Sequence, residues 1–308
     1  MNSSPTVLMN TNLPLPLFRR GKVRDVYDLG DKLLIVSTDR ISAFDVVLPC
    51  GIPDKGRVLN QLSAFWFKKT AHILPNHLIK IIDSDVILSE TKSLSSHSRE
   101  LPDSLIDRSM LVAKAKRIPV ECVVRGYLSG SAWAEYKETR KIGDITLPQG
   151  MKESQELSQP IFTPTTKSDT EHDRPLTKQD IKGFGIEDIF KELEQKSLLI
   201  YSYAQDYAKR RGIIIADTKF EFGFINGQLA LIDELLTPDS SRFWDASQYE
   251  VGHSQPSFDK QPVRDWLIDS GWDKNPPAPM LPPEVIDRTS KRYREVYSKL
   301  TGGVLRGK

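Results

Sequence analysis

A chain of 308 residues with 43 basic and 41 acidic side chains carries a formal charge of +2, too balanced for a global field that would draw it to nucleic acid or an anionic membrane. Its length supports a substantial core and roughly two domains. The segment Met1–Asn12 lacks a basic stretch followed by an apolar one, and no apolar run approaches the ~20 residues that span a bilayer, so a soluble cytoplasmic protein is expected.

Alternation predicts a hairpin from Lys22–Tyr27 and Lys32–Ser37 around the turn Asp28-Leu29-Gly30-Asp31. Helical spacing follows over Asn60–Ala71, then β-branched pairs suited to a strand over His77–Ile87. Ser89–Asp107, with its serines and no apolar period, reads as a surface excursion. Met110–Lys116 and Pro119–Arg125 read as strands, and Arg117-Ile118 between them could mark a domain boundary. Ser129, Gly130 and Ser131 open a helix over Ala132–Lys141.

Residues 143–178 show no period and predict a long functional loop. Helices are expected over Lys178–Gly183 and Glu187–Arg211, the latter with the stripe Ile189, Phe190, Leu193, Leu198, Tyr201 and Ala204. Gly212–Phe224 and Gln228–Leu235 flank Asn226-Gly227, a strong hairpin signal. Proline-rich Asn275–Pro283 forms a stiff spacer before a terminal helix, Glu284–Leu300, whose apolar face holds Ile286, Tyr293, Val296, Tyr297 and Leu300. The expected class is α+β. Cys50 and Cys122 lie far apart, outside any metal-ligand or CxxC spacing, and read as core thiols.

Four charged clusters could carry chemistry. Arg19-Arg20-Gly21-Lys22-Val23-Arg24 places amides and cations where they could hold polyphosphate, although it lacks P-loop spacing and a charged edge strand would look alike. In Asp217-Thr218-Lys219-Phe220-Glu221-Phe222, strand periodicity puts Asp217, Lys219 and Glu221 on one face and the aromatics on the other. Such a face suits a Mg²⁺-nucleotide site or a solvated strand with cross-strand pairs. Asp233-Glu234 inside an apolar strand adds weight to the metal reading. A three-residue loop, Asn226–Gln228, would set Asp233 opposite Glu221; a two-residue loop would set Ile232 there and Asp233 opposite Phe220. Arg125 with Gly126, Ser129, Gly130 and Ser131, and separately Asp239-Ser240-Ser241-Arg242, suit a phosphate monoester. Finally, Lys167, Asp169, His172, Asp173 and Arg174 crowd the long loop around a second substrate or simply face water; His172 has no partner at zinc-ligand spacing.

Taken in order, GKVRDVYD at Gly21, STDRISAFDVVLP at Ser37, PVECVVRGYLSGSAW at Pro119, the DTEHDRP loop, ADTKFEFG at Ala216 and LIDELLTPDSSRFW at Leu231 resemble the SAICAR synthetase family from about residue 15 to the terminal helix. The resemblance implies an α+β fold with an ATP-grasp- or kinase-like nucleotide cleft. Residues 1–116 would form a β-rich nucleotide-covering domain, and 117–308 a larger α/β domain for substrate and metal. The implied reaction is an ATP-dependent ligation in purine biosynthesis, in which the carboxylated aminoimidazole ribonucleotide CAIR, L-aspartate and ATP give SAICAR, ADP and phosphate. Gly21, Lys22, Arg24, Lys116, Ile118, Lys219, Glu221 and Asp233 would then serve ATP, with Glu221 and Asp233 on Mg²⁺. Arg125, Ser131 and Arg242 would hold the CAIR phosphate, and Glu121, Asp217 and Asp239 its ribose or base. Arg40, Ser42 and Asp45 would receive aspartate, with Lys167, Asp169 and Asp173 closing over the reacting carboxylate. Lys219 would be catalytic, and Asp217 would take the proton of the aspartate amine. No obligate protein partner is expected.

Two other classes compete. A small-molecule kinase would release the phosphorylated intermediate without an amine, so aspartate dependence separates it. A nucleotide- or RNA-binding module is suggested by Lys114, Lys116 and Arg117, but the chain lacks an aromatic-basic RNP pattern.

Overall fold

In the computed structural model, which describes residues 7–83, 102–167 and 174–305, the N-terminal alternation folds into β1 (Leu17–Arg20), β2 (Arg24–Asp28) and β3 (Lys32–Ser37). A second hairpin, β4 (Arg40–Ala43) and β5 (Val46–Gly51), leads into α1 (Lys55–Thr70), and β6 (Leu78–Ile81) and β7 (Ser109–Ala113) follow. The five-stranded antiparallel sheet runs β1-β2-β3-β7-β6. The expected surface excursion lies mostly outside the described residues.

The chain crosses to a second sheet between Ala113 and Lys116. There β8 (Lys116–Tyr127) is followed by α2 (Gly130–Thr139), the short hairpin β9 (Lys141–Ile142) and β10 (Ile145–Thr146), β11 (Glu156–Phe162) and β12 (Thr165–Thr166). Helices α3 (Lys178–Gly183) and α4 (Glu187–Lys209) precede β13 (Ile213–Ile225), β14 (Gln228–Ile232) and β15 (Ser241–Asp245). The six-stranded sheet runs β11-β8-β13-β14, with β12 on β8 and β15 on β13. Helices α5 (Gln261–Asp269) and α6 (Pro283–Thr301) close the chain. The long aperiodic loop thus contains strands, and α5 was not expected; Pro160 and a register shift along β11 break the alternation that would have signalled the former.

Helix α1 starts five residues before the periodic run, because Lys55 and Gly56 are buried and give no apolar signal. Its Val58, Leu59, Leu62, Trp66 and Phe67 share one hydrophobic cluster with Val112 of the first sheet, Val124, Phe220 and Phe222 of the second, and Tyr293, Val296 and Leu300 of α6. One core therefore spans both sheets. On the apolar face of the second sheet, in the same cluster as α1, α4 buries Leu193, Ser197, Ile200, Tyr201, Ala204 and Ala208 at helical spacing. The sheets are also stitched directly: Asn76 bridges Leu231, the His77 amide donates to the Leu231 carbonyl at 3.0 Å, and the Leu231 amide donates to Pro75 at 2.9 Å.

Leu62 is completely buried at the junction of sheets and helices. Leu62→Ala is expected to cost about 2–5 kcal/mol through lost transfer energy and a residual cavity. Urea denaturation reads this as a lower midpoint at unchanged slope; a shift below about 1 kcal/mol would show that the site relaxes.

Candidate active site

One face of the second sheet carries charge in register. On β13, Asp217, Lys219 and Glu221 alternate with buried Phe220 and Phe222, as the period-two pattern requires. Across β8, Arg125 pairs with Asp217 and Glu121 with Glu221; across β15, Arg242 pairs with Asp217.

The Arg125 end is built for an anion. Arg125 donates from Nε to Thr163 Oγ1 at 3.0 Å, from Nη1 to Asp217 Oδ2 at 3.3 Å and from Nη2 to Ser131 Oγ at 3.3 Å. Arg242 Nη1 donates to the same Asp217 oxygen. Asp217 thus aligns two guanidinium groups from the neighbouring strands β8 and β15. Gly130, at φ +57°, starts α2 against Arg242: a Cβ there would lie 2.3 Å from Nη2. Glycine suits both the left-handed backbone and this close approach, and no side chain caps the helix start. Two guanidinium groups, a serine hydroxyl and uncapped amides meet around one carboxylate, which leaves an excess positive charge suited to phosphate.

Four residues along β13, about 13 Å at strand rise, the second end gathers carboxylates. Glu121 and Glu221 face each other directly, and Lys167 lies between them, donating to Glu121 and standing 3.2 Å from Glu221. Lys219 donates to both Glu121 oxygens at 3.1 and 3.3 Å. Burial acts to raise Glu121, but Lys219 and Lys167 hold it below the usual carboxylate range. Glu221 has weaker compensation, and burial together with the Asp233 carboxylate pushes it up to about 7.

The hairpin register resolves the loop parity. Ile225 pairs with Gln228 and Glu221 with Ile232, so Asn226-Gly227 is a two-residue loop, both residues having positive φ. Asp233 lies just past the end of β14 at φ 67°, where the chain leaves strand alternation. Arg24 Nη2 donates to Asp233 Oδ2 at 2.6 Å and lies 3.8 Å from Glu234; against the burial cost, Asp233 and Glu234 raise the guanidinium further. Among the described residues no group of three or more His, Cys, Asp or Glu could hold a metal. Glu221 and Asp233 are two carboxylates, the number that Mg²⁺ commonly takes beside phosphate oxygens.

Gly21 closes a tight turn by donating its amide to Arg24 at 2.8 Å, and Lys22 reaches Asp45 at 2.6 Å on the surface. Arg40 lies beneath this turn. Its buried guanidinium donates to the carbonyls of Met9, Gly21 and Lys22 and to Asp25 Oδ1, bracing the Gly21-Lys22 turn from below. Asp239 lies inside the fold, accepting from Lys55 at 2.7 Å and Tyr293 at 2.6 Å. Lys116 opens β8 at the crossing between sheets, whereas the Ile118 side chain is buried, so only its main chain is available to a ligand. Asp169, His172 and Asp173 lie outside the described residues.

Sequence reasoning passed over Thr163, Glu234 and His77. Thr163 follows an irregular strand, and Glu234 stood only as the second half of an acidic pair. His77 lay in a stretch legible only as strand; burial lowers its imidazole to about 4.

Comparison with known proteins adds an independent line. The sequence model of SAICAR synthetase matches residues 17–279. Phosphoribosylaminoimidazole-succinocarboxamide synthase of Thermodesulfovibrio yellowstonii is 50% identical over 303 residues, covering 96% of this chain and 99% of the relative. The enzyme of the same name from Syntrophobacter fumaroxidans is 48% identical over the whole of both chains. Among solved structures, the Saccharomyces cerevisiae SAICAR synthase complexed with SAICAR aligns at TM-score 0.86 and 44% identity, covering 97% of this chain and 100% of that one. A SAICAR synthetase in complex with ADP aligns at 0.67 and 27%, covering 94% and 99%.

The raised Glu221 has a sign that can be tested. Its ordinary value is 4.5 and its folded value about 7, so the proton is held more tightly in the folded state. The resulting stability is fully present below 4.5 and is lost as pH rises through about 7. Between these values the melting temperature of ligand-free wild type should fall relative to Glu221→Gln; parallel curves would contradict the assignment.

Proposed function

We propose that in this chain, which belongs to the SAICAR synthetase family, the charged face of the second sheet is where ATP activates a carboxylated ribonucleotide for capture by aspartate. The activity is that of an ATP-dependent ligase of purine biosynthesis: CAIR, L-aspartate and ATP give SAICAR, ADP and phosphate. The observation that carries the site assignment is that one strand, β13, bears an anion clamp at Asp217 and a carboxylate cluster at Glu221. That separation lets a ribonucleotide lie lengthwise, its phosphate on Arg125, Ser131 and Arg242 and its carboxylate toward Glu221. The relatives solved with SAICAR and with ADP support both substrate classes.

In this reading Gly21, Lys22 and Arg24 approach the ATP phosphates, and the main chain around Lys116 and Ile118 meets the base. Residues 1–116 cover the nucleotide, and 117–308 hold substrate and metal. Glu221 and Asp233 would hold Mg²⁺, which when bound supplies charge neutralisation on the phosphates. A CAIR carboxylate oxygen attacks the γ-phosphorus as the bond to ADP breaks, giving an acyl phosphate. The aspartate amine then attacks the acyl carbon, the carbon–oxygen bond to phosphate breaks, and the amine loses its proton as the amide forms. Lys219 offsets charge on the transferring group, while Arg125 and Arg242 set alignment; positioning and electrostatics dominate such transfers. Asp217 belongs to the phosphate end, remote from that amine. Aspartate is received around Ser42 and Asp45, and Lys167 serves the reacting carboxylate beside Glu121 and Glu221. A cytoplasmic setting fits a chain in which no described helix is long and apolar enough to cross a membrane.

The direct test measures ADP release with CAIR and L-aspartate each omitted in turn, and product by mass spectrometry. A succinocarboxamide that requires both is expected; a stable phosphorylated product from CAIR alone would make the chain a kinase. Arg242→Ala should raise the KM for CAIR about 10- to 100-fold, since hydrogen bonds to charged groups contribute roughly 1.5–3 kcal/mol. Equal losses for ATP would contradict the clamp. Glu221→Ala or Asp233→Ala should lower kcat about 100-fold or more with the fold intact, and near-normal rates would remove the metal assignment.

A further inference from the structure

We infer that Lys55, the first residue of α1, is a positioning residue for the reaction: through the Asp239 carboxylate it fixes the turn 237–241, which holds the main chain of Lys219 and delivers Arg242 to the phosphate clamp. This rests on the reading of Arg242 and Lys219 given above.

The Lys55 side chain is wholly buried, and the Asp239 side chain is 4% exposed. Lys55 Nζ donates to Asp239 Oδ2 at 2.7 Å, and the Tyr293 hydroxyl of α6 donates to Oδ1 at 2.6 Å. Lys260 Nζ, just before α5, stands 3.6 Å from Oδ1. Three separate parts of the chain thus surround one carboxylate and hold both of its oxygens. The main chain beneath Lys55 is fixed as well: Gly56 is pressed so closely on the end of β3 that a Cβ there would lie 2.2 Å from the Ser37 carbonyl oxygen, and its amide donates to Asp39 at 2.9 Å.

Asp239 sits in a tight turn. The Ser240 and Ser241 amides both donate to the Thr237 carbonyl, at 3.1 and 2.9 Å, and the Thr237 amide donates to Ser240 Oγ at 3.1 Å. The turn meets β13 at two consecutive residues: the Lys219 amide donates to the Ser240 carbonyl at 3.0 Å, and the hydroxyls of Thr218 and Ser241 share a hydrogen bond of 2.8 Å. Arg242 follows directly and reaches Asp217. A displacement of Asp239 therefore moves Lys219 and Arg242 together. A buried Lys–Asp pair adds little net stability over packed apolar side chains, so stability alone does not account for a charge placed here. A carboxylate held on both oxygens has one orientation, and that orientation sets the turn.

The test compares Lys55→Met, which keeps the length and removes the cation, with Tyr293→Phe, which keeps the ring and removes one hydroxyl. The second variant carries the test should Lys55→Met fail to fold. Leu62→Ala, two turns along α1, controls for destabilisation alone, and Arg242→Ala reports the clamp itself. Amide hydrogen exchange of Lys219 and Ser241 is followed in ligand-free protein, and CAIR and ADP affinities are measured by calorimetry. Lys55→Met and Tyr293→Phe are expected to speed exchange at both amides and to weaken CAIR about 10-fold, near the effect of one lost hydrogen bond to a charged group, with ADP affinity unchanged. Leu62→Ala should change neither affinity. Unchanged exchange, or unchanged CAIR affinity where Arg242→Ala weakens it, would overturn the proposal alone. CAIR affinity insensitive to Arg242→Ala would refute the clamp, and the proposal with it. An equal loss of CAIR affinity in Leu62→Ala would reduce Lys55 to a structural role.

Discussion

Two glutamates facing each other across β8 and β13 are the constraint on which the site depends. Glu121 and Glu221 are directly paired in a largely buried sheet face, a placement that like charges make unfavourable. Lys167 and Lys219 offset it on one side, and Arg24 compensates the adjoining Asp233. Each cation comes from a different element, so the carboxylates can be close only when the loop after β12, the strand β13 and the first sheet have all assembled. Folding and site formation are one event here, because the ionic cluster lies where the shared core brings the sheets together.

The same division explains why the charged motifs mix framework with site. Within STDRISAFD, Asp39 and Arg40 are buried braces: Asp39 accepts from Arg108 at 2.8 Å and from the Gly56 amide at 2.9 Å, and Arg40 supports the Gly21-Lys22 turn. In TPDSSR, Asp239 is locked under Lys55 and Tyr293, while Arg242, three residues on, faces the anion clamp. A linear motif records that charge is needed. It does not record which side of the backbone receives it, and a buried ion pair leaves the same letters as a ligand contact.

Legibility followed periodicity. The Asn226-Gly227 hairpin, α3, the start of α4 and the body of α6 emerged because local pattern and tertiary burial agree there. Residues of α4 that lay on the stripe but at its margin, such as Ile189 and Leu198, are only partly buried. Where burial is polar the pattern fails: Lys55 and Gly56 begin α1 without an apolar signal, and β11 hides behind a proline and a register shift. Loop parity was undetermined for a different reason. Alternation fits either register on paper, and only the pairing of Ile225 with Gln228 selects the two-residue loop.

Charge accounting separates the two ends of the face in what they can accept. At the clamp, Arg125 and Arg242 both pair with the single carboxylate of Asp217, so a phosphate monoester would meet paired guanidinium groups without any rearrangement. At the other end, among the described residues, Lys167, Lys219 and Arg24 stand against Glu121, Glu221, Asp233 and Glu234. Bare polyphosphate would be repelled there, since further negative charge finds no surplus cation and the carboxylates already raise Glu221. A nucleotide bound there would have to arrive with its charge compensated, or an ion pair such as Lys219 with Glu121 would have to open to receive it. A phosphate monoester at the clamp would need neither. On the proposed assignment the two ends of one strand thus differ in electrostatic character, which would keep each ligand from occupying the place of the other.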